Sequence, residues 1–102
     1  MTPSEKAQQA HDLLMQMLLL LDSQKETTWR ARIAGLIAEL EGEDGKLFPA
    51  GFERARSGYK TMTRGARNFG EYAVWLDDKS EQKRINQIIE DLQAKLWAVF
   101  GP

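Results

Sequence analysis

The stretch SEQKRINQIIEDLQAKLWAVF, residues 80–100, decides the fold. Ile85, Ile88, Ile89, Leu92, Leu96 and Val99 recur at intervals of three and four residues, which places them along one face of an α-helix. Asp78 stands ahead of the run as an N-cap with Glu81 three residues on, and Gly101-Pro102 closes it.

Working back from this helix, Tyr72-Ala73-Val74-Trp75-Leu76 carries strand-forming residues but is short and has no evident partner strand. It predicts an extended segment packed on the helices. Tyr59 to Glu71 shows no sustained helical period: Gly58, Gly65 and Gly70 punctuate it, and Thr61, Thr63 and Asn68 favour turns. Phe52 to Ser57 predicts a short helix closed by Gly58. Ahead of it, Pro49 biases Phe48 away from helical geometry, and Glu43-Asp44-Gly45 reads as a turn.

Trp29, Ile33, Leu36, Ile37 and Leu40 form a one-sided stripe and predict a helix, with Ser23 and Glu26 as its capping box and Gly42 at a left-handed C-cap. At the start of the chain, Thr2-Pro3-Ser4-Glu5 supplies an N-cap, a proline at the first helical position and the glutamate of another capping box. Ala7, Ala10, Leu14, Met17, Leu18 and Leu21 follow at helical spacing. Leu13, Met15, Leu19 and Leu20 widen that face, which marks either the central helix of the core or an oligomer contact. The short connection makes helices one and two an antiparallel hairpin. The expectation is one all-α domain over residues 1–102: a three- to four-helix bundle with an irregular glycine- and arginine-containing loop and a short extended segment before the last helix.

Composition narrows the function classes. Apolar residues make up 42% of the 102, and 14 basic residues nearly balance 15 acidic ones, leaving a net charge of −1. A disordered chain would be less apolar and more highly charged, and a dedicated nucleic-acid binder would be basic overall. With no cysteine, disulfides, thiolate metal sites and cysteine nucleophiles are excluded. The apolar run Leu13–Leu21 spans about 14 Å as a helix, less than half of a bilayer core of about 30 Å. With no signal-like start, the chain reads as cytoplasmic, with no membrane partner.

Little here resembles a catalytic set. His11 is the single histidine and has no second base or metal ligand to work with. The acidic run Glu39, Glu41, Glu43, Asp44 fails as a calcium loop, because aligning Gly45 with the loop glycine puts Leu40 and Gly42 at ligand positions and Gly51 at the twelfth. No phosphate-loop spacing, catalytic triad or carboxylate pair is present, so neither activity nor cofactor is expected. The most distinctive local feature is basic: Arg54, Arg56, Lys60, Arg64 and Arg67 lie between Glu53 and Glu71 with no acid among them, interleaved with Tyr59 and Phe69. Such a segment suits an acidic protein partner or single-stranded nucleic acid, or is simply a solvated loop. Asn68 is a polar group positioned to join the arginines. Trp29 leads the core stripe of helix two, whereas Trp97, off the stripe of the last helix, is the candidate aromatic anchor.

The order of these features resembles a family of bacterial helical proteins of about 100 residues known only as a domain of unknown function. The likeness runs from about Leu13 to Phe100: a leucine-rich first helix into Leu21-Asp22-Ser23, Trp29 opening the second, a Gly65-Ala66-Arg67-Asn68-Phe69 loop, the Tyr72–Leu76 run and a long final helix. The family's loop reads Gly-Met-Gly-Ser-Phe-Asn-Asp. Gly65 and Asn68-Phe69 are similar to it, while arginines replace small residues. The resemblance implies a compact bacterial helical domain and supplies no activity. Some proteins of this size and type act as immunity or accessory partners of toxins. Together these readings point to a non-catalytic protein-binding domain, of immunity or regulatory type, acting on a protein partner or as a homodimer, with a nucleic-acid module as the alternative.

Overall fold

The computed structural model describes residues 1–101. Four α-helices, α1 (Pro3–Ser23), α2 (Thr28–Leu40), α3 (Phe52–Met62) and α4 (Lys79–Phe100), are joined with single 3-10 turns at Pro49–Gly51 and Phe69–Glu71. This is the expected small all-α bundle. The one strand-type pairing among the described residues is a bridge between Glu41 and Leu47. No helix among them is long and apolar enough to cross a membrane.

α1 is the central element, and this explains its wide apolar face. It packs against both α2 and α4, so Leu13, Leu14, Met17, Leu20 and Leu21 are all buried, and Leu18 is half-buried against the same core. Met15 and Leu19 remain exposed. The capping box at its start forms as the spacing predicts: Glu5 N–H donates to Thr2 Oγ1 at 3.1 Å, and Thr2 N–H to Glu5 Oε1 at 3.3 Å.

The turn into α2 differs from its sequence reading. Ser23 belongs to α1, its hydroxyl donating to Leu20 O at 2.6 Å. The chain leaves α1 through Lys25 at φ 57°, with Lys25 N–H on Asp22 O and Glu26 N–H on Leu21 O, the paired bonds that close a helix through a left-handed residue. Glu26 then caps α2 alone, accepting Trp29 N–H at 2.6 Å. Polar contacts stand at the two ends of the antiparallel α1–α2 hairpin, an Asp22–Arg30 ion pair at one and His11 Nε2 3.6 Å from Glu41 Oε1 at the other. Nor does Gly42 cap α2: Glu41 ends it in an extended conformation, and Gly45, at φ 77°, makes the turn.

α3 is the larger correction. It runs through Gly58 to Met62 and buries Ala55, Tyr59 and Met62, so the basic stretch is helical for more than half its length. Gly58 does not close this helix; a Cβ there would come within 2.5 Å of Leu36 Cδ2, so the glycine lets α3 lie close against α2. Gly51 is held more tightly, since its Cβ would fall 1.6 Å from Glu39 O. Phe69 sits fully buried among rings from three directions: Trp29 at 5.2 Å, Tyr59 at 6.3 Å and Tyr72 at 6.0 Å between centroids. Tyr59 continues the array to Phe100 at 5.3 Å, tying α2, α3 and α4 together.

Candidate functional site

The five cations do not form one patch. Helical periodicity sends Arg54 and Arg56 to different sides of α3. Arg54 reaches across to Glu39 of α2 at 3.9 Å. Arg56 turns to the end of α4, where its Nε donates to Phe100 O at 2.7 Å, and its Nη1 lies 3.5 Å from Glu53. A guanidinium on the final carbonyls of a helix satisfies an orphan acceptor and complements the negative end of the dipole. Lys60, half-buried, and Arg64 and Arg67, both exposed, form no ion pair among the described residues.

Beyond Met62 the chain turns sharply. Thr63 Oγ1 donates to Tyr59 O and Lys60 O, finishing the helix. Gly65 at φ 77° and Arg67 at φ 55° both take left-handed backbone. Asn68 is used inside this turn, its Nδ2 donating to Gly65 O at 2.6 Å. Arg67, Asn68, Glu71, Tyr72, Ala73 and Trp29 line a shallow cleft of about 280 Å³. Burial, and after it the Glu26 carboxylate, raise the Tyr72 phenol above its usual pKa. Arg32 lies over the Trp29 ring at 5.2 Å.

A second feature was not legible as a site. The extended run Tyr72–Leu76 has no strand beside it, and side-chain amides of α4 take that place. Asn86 Oδ1 accepts Val74 N–H at 2.8 Å while its Nδ2 donates to Val74 O at 3.1 Å. Gln82 Oε1 accepts Leu76 N–H at 2.8 Å, and Gln93 Nε2 donates to Phe69 O at 2.6 Å. Val74 is thereby buried and Trp75 turned outward, 83% exposed between two pinned neighbours. Gln82, Asn86 and Gln93 lie along one side of α4, just off the apolar stripe, and this row of amides was the available signal. Trp97, the anchor expected from sequence, is 47% exposed. It stands about 16 Å along the α4 axis from Asn86, so the two indoles are separate features.

Among the described residues no three or more His, Asp or Glu side chains gather as a metal site. His11 is engaged with Glu41 at 3.6 Å. No family model, no curated protein and no solved structure matches this chain.

Proposed function

We propose that this domain is a non-catalytic protein-binding module of immunity or regulatory type, whose contact surface centres on Trp75. One observation carries the reading: a tryptophan 83% exposed on backbone held in place at both adjoining residues. Exposing an indole forgoes favourable burial, and rigid tryptophans are what binding hot spots are made of. Pinned backbone lowers the ordering cost of a contact there.

The second reading, a nucleic-acid module, draws on Lys60, Arg64 and Arg67, the cations of the basic stretch without ion pairs. It has fewer phosphate contacts to offer than the sequence suggested, because Arg56 is committed to the end of α4 and Arg54, although exposed, stands beside the Glu39 carboxylate. Affinity capture with the wild type, Trp75→Ala and Arg64→Ala/Arg67→Ala separates the two. A protein retained at physiological salt by the wild type and the double arginine variant but lost with Trp75→Ala is the expected result. Tight oligonucleotide binding lost only in the arginine variant would overturn it.

A further inference from the structure

Of the eight glycines, Gly35 is the one that the fold does not explain. Gly45, Gly65 and Gly101 have positive φ, and a Cβ at Gly42, Gly51, Gly58 or Gly70 would come within 3.1 Å of another atom. Gly35 lies inside α2, is exposed, and its Cβ would meet nothing within 4 Å. Glycine inside a helix is less stable than alanine, and no contact among the described residues requires it here. Its use is external: without a side chain, another chain's backbone can approach α2 closely.

Gly35 stands on the wall of a groove of about 390 Å³ between α2 and α3. Arg54 meets Glu39 and Gly58 meets Leu36, so the two helices run antiparallel. Leu36 and Met62, both buried, form an apolar floor. Arg32 lies on the α2 wall at one end, and Arg54 on the α3 wall at the other, beside Glu39. Seven residues of helix separate Arg32 from Glu39, about 10 Å along the axis. Arg32 is exposed and forms no ion pair among the described residues. The Arg54 side chain is 81% exposed, and Glu39, 3.9 Å from it, is the one carboxylate on the lining.

We infer that this groove seats an acidic amphipathic helix of a partner protein. A furrow between two helices receives the ridge of a third, and Gly35 removes the side chain that would hold it off. Two guanidinium groups against one carboxylate favour an acidic occupant. Their spacing places its acids two turns apart, with an apolar residue between them over Leu36 and Met62. The inference goes beyond the reading of Trp75 and does not rest on it.

The probe is an alanine-based helix of about 16 residues, blocked at both ends, with a central leucine flanked by glutamates seven residues apart. A copy with lysines in place of the glutamates is the control. Titration into the full chain is followed at the Gly35 and Gly58 amide resonances. The acidic helix should shift both, with a Kd between about 10 μM and 1 mM as suits a small interface. The lysine copy should bind at least about tenfold more weakly. Gly35→Leu enters open space, so its urea midpoint should rise while affinity for the acidic helix falls at least about tenfold. A variant more stable than the wild type cannot lose binding by misfolding. Arg32→Glu/Arg54→Glu should reverse the preference between the two peptides, and Trp75→Ala should leave the titration unchanged, so the two readings fail separately. No binding up to about 1 mM, equal binding of both peptides, or undiminished affinity in Gly35→Leu overturns the inference. Gly35 shifts on concentrating the chain alone also overturn it, assigning the groove to a second copy. Displacement of the peptide by single-stranded oligonucleotide at physiological salt does the same, in favour of nucleic acid.

Discussion

The carboxamide of Asn86 closes a ring with the backbone of Val74, accepting its N–H at 2.8 Å and donating to its carbonyl at 3.1 Å. A side chain on a helix thus plays the part of a neighbouring strand. Asn86→Ala strands two part-buried backbone groups, and we expect a loss of about 2–4 kcal/mol of stability. Gln87→Ala, one residue along on the exposed side, should stay within about 0.5 kcal/mol. Urea denaturation of both variants tests the ring, and equal effects would contradict it.

Two glycines make a sharper contrast. Gly51→Ala places a Cβ 1.6 Å from the Glu39 carbonyl oxygen, and backbone cannot yield without moving α2. A cost of about 3 kcal/mol or more is expected. At Gly58→Ala the obstacle is Leu36 Cδ2 at 2.5 Å, the tip of a flexible side chain, while alanine gains about 1 kcal/mol of helix propensity. The net change there should not exceed about 1 kcal/mol, measured by the same denaturation.

Alkaline pH should unfold the protein through Tyr59. Burial pushes its phenol up to about 12 from the usual 10, so the folded state favours the protonated form. The stabilisation is complete below pH 10 and is lost as pH rises from 10 towards 12, amounting to about 2–3 kcal/mol. Tyr59→Phe should flatten that decline. Following tyrosinate absorbance beside the unfolding midpoint checks the order of events. A midpoint that falls equally in both proteins would rule Tyr59 out as the cause.

The arginines should separate by role. Arg56→Ala removes a charged donor from Phe100 O and should cost about 1–3 kcal/mol. Arg64→Ala should lie within about 0.5 kcal/mol, as an exposed cation in water contributes little. Arg67→Gly relieves a left-handed residue at φ 55° and should stabilise by about 0.5–1 kcal/mol. If phosphate is bound here, the double Arg64→Ala/Arg67→Ala variant flattens the salt dependence of oligonucleotide affinity. Negligible binding throughout is the expected result.

Those differences trace what could be read in advance. α1, α2 and α4 were legible because each carries an unbroken apolar period and at least one capping residue at the right spacing. α3 was not, because Gly58 within it has the local signature of a helix end, whereas its reason lies in Leu36, twenty-two positions away. The same non-locality hid the site. Arg54 and Arg56 look like two members of one basic run until Glu39 and the Phe100 carbonyl claim them from different sides. Trp75 was in plain view as a residue, but its presentation depends on Asn86 and Gln82, whose amides have no visible task until the segment beside them is placed.

That arrangement ties the fate of the segment to the helix beside it. Val74 and Leu76 have their backbone partners in Asn86 and Gln82, and Phe69 O has its partner in Gln93, all spaced along one side of a wound α4. The Val74 and Leu76 amides are therefore sheltered only while α4 is helical, and they should exchange with solvent together with α4 as one cooperative unit, not as a loop that opens by itself.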